Sequence, residues 1–176
     1  MHVEKSIEVE APVNKVYNQW TQFEEFPRFM QGIEQVQQLD DKRLHWVAEI
    51  GGKRKEWDAE IFEQVPDQKI AWRSTSGAPN AGIVSFRPIA AERTQVTVRM
   101  EYEPEGVIEN VGSALGAVGT RIEGDLKRFR DFIQSRVQET GAWRGEIHGG
   151  RVESSGGGST SPGTPGYGST GKSGLV

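Results

Sequence analysis

The chain has 176 residues, a formal net charge of −4, 35% hydrophobic and 26% charged residues, three histidines and no cysteine. A mildly acidic balance argues against nucleic acid or an anionic membrane as partner. The absence of cysteine excludes disulfides, thiolate metal sites and a cysteine nucleophile.

His2, His45 and His148 are too scattered for metal-ligand spacing and read as surface or strand residues. No metal or cofactor is expected. The amino terminus has no apolar signal region, and no apolar run approaches a membrane span. A cytoplasmic protein without stable membrane insertion is the expectation.

Val3, Ile7 and Val9 alternate with charged neighbours and predict a first strand over residues 3–10. Pro12 suits the start of a helix, and Val13, Val16, Tyr17 and Trp20 follow at amphipathic spacing. Phe23, Phe26, Phe29 and Met30 come next, interrupted by Pro27, which predicts a second short helix or turn. Gly32 then opens a region of strands and turns reaching residue 103.

The first of these strands is Ile33 to Leu39. The next places Leu44, Trp46, Ala48 and Ile50 on one face, and Gly51-Gly52 predicts a two-residue hairpin. That loop sets Trp46 opposite Trp57 and, on the other face, His45 opposite Asp58; both pairings are favoured. Trp57, Ala59 and Ile61 continue the inner face to the turn Val65-Pro66-Asp67-Gln68. Ile70, Trp72 and Ser74 follow, in a hairpin whose register could slip by one residue. Val84 and Phe86, then Val96, Val98, Met100 and Tyr102, give two more strands around the loop Ala90–Arg93. Short connections throughout predict an antiparallel meander.

Val111, Leu115, Val118, Ile122, Leu126, Phe129, Ile133 and Val137 recur by threes and fours, the strongest periodic signal in the chain. They predict one long helix. Its first half carries Gly112, Gly116 and Gly119, which either admit close approach to the sheet or leave empty volume. Arg121, Lys127, Arg128, Arg130 and Arg136, interleaved with Glu123, Asp125, Asp131 and Glu139, read as a salt-bridged solvated face.

The last stretch, Arg151 to Val176, is dominated by Gly, Ser, Thr and Pro and cannot bury enough apolar surface to order itself. The expected division is a domain over 1–145 and a disordered tail over 146–176. Gly166 to Ser173 matches the P-loop pattern letter for letter, but no strand precedes it and no helix follows. Nucleotide binding is therefore rejected.

The element order resembles the helix-grip fold of the START-like, or SRPBCC, superfamily, and within it the polyketide cyclase/dehydrase and coenzyme Q-binding branch. The resemblance is carried by Ile7-Glu8-Val9-Glu10-Ala11-Pro12, Val16-Tyr17, Phe26-Pro27-Arg28-Phe29, Trp57-Asp58-Ala59-Glu60-Ile61, Ile70-Ala71-Trp72-Arg73-Ser74, Gly82-Ile83-Val84-Ser85-Phe86 and Thr97-Val98-Arg99-Met100-Glu101-Tyr102. It implies an α+β protein: a seven-stranded curved antiparallel sheet around a long carboxy-terminal helix, with two short helices after the first strand. It also implies a cavity between sheet and helix for lipids, isoprenoid quinones, sterols or polyketides.

The candidate ligand-binding residues are Trp46, Trp57, Trp72, Phe86, Met100 and Tyr102 on the sheet, Phe26 and Phe29 before it, and Val111, Leu115 and Val118 on the helix. The tryptophans could equally fill a solid core. Lys53, Lys55 and Ser74 share the inner-face parity and are candidates for polar contacts at a cavity mouth, whereas Glu56, Asp58 and Glu60 point the other way. The leading expectation is a non-catalytic carrier of a small hydrophobic molecule. A cyclase or dehydratase would need a buried polar cluster, for instance around Tyr102 or Arg99. A protein-interaction module would need a solid interior.

Overall fold

The computed structural model describes residues 2–50, 52–102, 111–136 and 138–153, with side chains for all of these except 102 and 111–115. β1 (His2–Val9) leads into α1 (Val13–Trp20) and a 3-10 turn at Phe23–Arg28 that accommodates Pro27. β2 (Ile33–Gln38), β3 (Arg43–Ile50), β4 (Lys53–Val65), β5 (Lys69–Gly77), β6 (Asn80–Ala90) and β7 (Arg93–Tyr102) follow, then α2 (Val111–Gln134). The strands pair antiparallel in the order β1-β7-β6-β5-β4-β3-β2, the expected seven-stranded path, with α2 packed along β1.

The two-glycine hairpin has the expected register: Ile50 opposes Lys53, Trp46 opposes Trp57 and His45 opposes Asp58. Gly52 has φ +77, the left-handed conformation such a turn requires. The second hairpin is less regular. Trp72 opposes Ile61 but Ile70 opposes Gln64, because a bulge at Phe62 inserts one residue into β4. The bulge reverses the side-chain parity beyond it and turns Gln64 into the core, where its Nε2 donates to the Tyr17 hydroxyl at 2.9 Å.

The core lies between the concave face and the two helices. Trp20 is its centre, edge-on to Phe26, Phe86 and Phe129 at ring separations of 5.5, 6.1 and 4.8 Å. Phe129 and Ile133 on α2 are fully buried. Tyr17 is buried as well, and its burial pushes the phenol pKa up to about 12, so it stays neutral and serves as a hydrogen-bonding core residue.

The boundary at residue 145 is corrected. Beyond α2 the chain crosses back over α1, and residues 146–153 form a hairpin, β8 (Glu146–His148) and β9 (Arg151–Glu153). These add two strands to the sheet, making nine among the described residues. β3 pairs with β4 only over residues 53–60, which leaves the end of β4 with an open edge; β8 takes it, with His148 opposite Glu63 and Ile147 opposite Gln64. Ile147 is fully buried. The crossing segment satisfies polar groups that α1 turns inward. Gln19 exchanges hydrogen bonds with Thr140, Asn18 donates to Glu139, and Arg144 donates to both Asn18 and Asp67.

His148 sits between two carboxylates, 3.0 Å from Glu146 and 3.3 Å from Glu63, and these hydrogen bonds raise its pKa, Glu146 contributing most. A raised pKa means the folded hairpin holds the proton more tightly than the unfolded chain. The resulting stabilisation is complete below the ordinary histidine value and is lost as pH rises through the raised one. His148→Gln should therefore lower the melting temperature more at about pH 5.5 than at about pH 8, on either side of the imidazole range. Equal shifts at the two pH values would refute the clamp.

The glycines of α2 divide in function. A Cβ on Gly119 would lie 3.1 Å from Lys5 Cε and 3.5 Å from Val3 Cγ1, so this residue lets the helix approach β1 closely. Gly116 is exposed and a Cβ there meets nothing within 4 Å. Gly116→Ala should stabilise the protein by about 0.5–1 kcal/mol in denaturant titration; destabilisation would mean that this turn bends on purpose.

Candidate functional site

A cavity of about 240 Å³ opens between the concave face and α2. Its deep end is formed by fully buried apolar side chains, among them Trp20, Ile61, Ile70 and Leu126. Its other end lies where the β3–β4 hairpin, the β5–β6 turn and the first half of α2 come together. Ile50, Lys55, Pro79, Asn80 and Val118 line it there, and the exposure of Pro79 marks the mouth.

Of the residues singled out from the sequence, Trp46, Trp57, Trp72, Met100, Phe26 and Val118 line the cavity, and so does Lys55. Trp46 and Trp57 stack nearly parallel, 8° apart with centroids at 5.7 Å, and form one continuous aromatic wall. Phe26 extends it, 5.7 Å from Trp46. The Trp72 indole lies flat over Gly82, its opposite on β6; a Cβ at Gly82 would come within 2.5 Å of the ring. Only glycine there leaves room for the indole in this position.

Phe29 and Phe86 are corrections. Both have the expected orientation, but they stand behind the cavity wall. Phe29 packs on Phe26, Phe129 and Phe132, and Phe86 on Tyr17 and Trp20. The bulk of Trp20 and Phe26 separates them from the void. Lys53 is exposed at the hairpin tip, and Ser74 Oγ is occupied by the Asn80 amide at 3.0 Å. Arg99 is exposed on the other face of β7. The side chains of Tyr102, Val111 and Leu115, like residues 166–173, lie outside the described residues.

The expected solvated face of α2 is only partly so. Arg121 and Asp125 line the cavity instead. They fall three and seven residues after Val118, so helical periodicity does put them beside the apolar stripe. Their charge is what disguises them. Asp125 is well shielded and already engaged: its Oδ1 accepts from the Gln31 amide at 2.9 Å and from Arg128, whose Nε donates to the Phe29 carbonyl at 2.8 Å. Arg121 differs. Burial pulls its guanidinium pKa down, only partly opposed by Asp125, and it makes no hydrogen bond or ion pair with the described residues. Trp46 Nε1, by contrast, is a fully shielded donor without a partner among them.

On the convex face, Asp58 accepts from His45 at 2.7 Å and from Ser76 at 3.0 Å, and these bonds hold its carboxyl below the ordinary range, that from His45 first. It is an ion-paired surface group remote from the cavity. No helix among the described residues is long and apolar enough to cross a membrane.

Comparison with known proteins agrees with this architecture. The family described as polyketide cyclase / dehydrase and lipid transport matches residues 9–130. An uncharacterized 17.2 kDa protein of Streptomyces lincolnensis is 49% identical over 146 residues, covering 82% of this chain and 97% of its own length. Among solved structures, a Deinococcus radiodurans protein is 30% identical with a TM-score of 0.59, covering 74% of this chain and 95% of its own. At 17% identity and a TM-score of 0.66, the Zhui aromatase/cyclase of Streptomyces shares the fold over 81% of this chain and 99% of its own. A START superfamily protein of Mycobacterium smegmatis does so at 16% identity and a TM-score of 0.65, over 76% and 97%. The sheet that grips its last helix and the match across most of the domain lead to one conclusion: this chain belongs to the polyketide cyclase/dehydrase and lipid transport family.

Proposed function

We propose that the protein binds or carries a small hydrophobic molecule, a lipid, isoprenoid quinone or polyketide-like compound, in the cavity between sheet and α2. The observation that carries this reading is the cavity walled by Trp46, Trp57 and Trp72. Walls that are largely apolar favour an apolar guest. Scaling from a cavity of about 150 Å³ that holds benzene, the space accommodates roughly ten non-hydrogen atoms. A longer chain must extend through the mouth. Each 100 Å² or so of apolar ligand surface removed from water contributes about 2.5 kcal/mol before the costs of association.

A cyclase or dehydratase is the second reading, favoured by Arg121 and Asp125 inside the cavity and by the aromatase/cyclase named among the structures of the same fold. Acid–base catalysis needs a group free to exchange a proton. The Asp125 oxygen is bound to Arg128 and the Gln31 amide, and Tyr17 is held neutral in the core. Carriage is therefore the better supported reading.

Titration with 1-aminonaphthalene, a neutral environment-sensitive dye small enough for the cavity, tests it. Saturable, blue-shifted fluorescence that a ten-carbon apolar compound displaces is expected, together with a small molecule recovered by mass spectrometry from the purified protein. Dye that fails to saturate or cannot be displaced would refute carriage.

A further inference from the structure

The cavity walls are apolar except at a few points, and one of these is unbalanced. Arg121 is a half-buried cation with no protein acceptor among the described residues, and the carboxylate that acts on it, Asp125, is bound to Arg128. Shielding part of a guanidinium from water without giving it a protein acceptor leaves it ready to take one from a ligand. The side chain is nevertheless held in place. A Cβ on Gly32 would lie 3.3 Å from Arg121 Nη2, so the guanidinium rests against the backbone where β3 ends, at the same end of the sheet as the mouth. Deeper in, the stacked indoles and aliphatic side chains offer nothing ionic.

Building on the carrier reading, we propose that the ligand is an anionic amphiphile: a carboxylate bound at the mouth by the Arg121 guanidinium, with its apolar body inside against Trp46 and Trp57. A carboxylate matches the planar fork of a guanidinium, and Asp125, the acidic group among the described lining residues, is already paired with Arg128. Head at the mouth and tail within also fits the volume, which is too small for a long molecule lying wholly inside. The position of Arg121 on a helix, rather than on a mobile hairpin tip, fixes the height at which the head sits.

Displacement of 1-aminonaphthalene by decanoate, compared with methyl decanoate, tests this. At neutral pH decanoate should bind the intact protein about tenfold or more tightly than the ester, the effect of one charge-assisted pair. Arg121→Gln should reduce the ratio to about one while leaving ester affinity within about twofold. Arg121→Lys should keep part of the preference. Arg121→Met retains the packing of the stem and gives the same readout should the glutamine variant fail to fold. Equal affinity for acid and ester in the intact protein, or a preference that survives both neutral substitutions, would overturn the proposal and leave the apolar cavity standing. Failure of the dye itself to bind, or of both compounds to displace it, would overturn carriage and this inference together.

Discussion

Trp57→Ala is expected to weaken apolar-dye binding by at least about tenfold while the protein remains folded. Trp57 is only half-buried, and its ring closes the cavity by stacking on Trp46. Truncation removes one of the two stacked rings and the flat surface it offers a guest. A loss of roughly 60 Å² of ligand contact corresponds to about 1.5 kcal/mol, or a tenfold change. The cost to folding should stay below the roughly 3–5 kcal/mol of a fully buried aromatic, because part of the ring already faces open space. The contrast with Phe86→Ala is the sharper test. Phe86 is buried behind Trp20 and Tyr17, so its loss should lower stability substantially and leave the binding of the residual folded fraction nearly unchanged. Should Trp57→Ala bind the dye as tightly as the parent protein, the aromatic wall is core and nothing more.

Those two residues also show where sequence reasoning succeeds and stops. Strand parity puts Trp57 and Phe86 on the same concave face, and that is correct. Parity says nothing about depth. Whether an inward side chain meets a void or another ring depends on what α1, the 3-10 turn and α2 place opposite it, and that is a tertiary fact. The β3–β4 register was legible because one short turn and two favourable cross-strand pairs agree. The β4–β5 register was not, since a bulge at Phe62 leaves no mark in the pattern and reverses every side chain beyond it. Gln64 thereby becomes a core residue against its polarity. Arg121 and Asp125 were hidden in a similar way: their spacing places them beside the stripe, but a charged residue is assigned to water unless its partner is known. The long helix itself, with Leu126, Phe129 and Ile133 at regular intervals, needed no partner to be seen.

The hairpin after α2 leads to the largest expected effect on stability. Gly149 and Gly150 have φ of +57 and +76, the same two-glycine turn chemistry as the β3–β4 hairpin, yet each flanking strand has three residues and a single apolar one. So short a pattern has no readable period. A chain ending at residue 145 should melt about 10 °C lower than one ending at residue 153. The deletion removes a fully buried Ile147, worth roughly 2–4 kcal/mol by analogy with isoleucine truncations, and each kcal/mol shifts the midpoint of a domain this size by about 2–4 °C. It also uncovers the edge of β4 at Glu63 and Gln64, with unpaired backbone groups that favour association between molecules. The composition of residues 154–176 predicts that ending the chain at 153 costs nothing. Cutting before Glu139 should be worse than either, because Asn18, Gln19 and Thr21 would lose the partners supplied by Glu139, Thr140, Trp143 and Arg144 while remaining on the inward side of α1. Thermal melts of the three truncations decide the matter. If the chains ending at 145 and 153 melt together, the hairpin is a passive appendage and the folded unit ends where the sequence alone would place it.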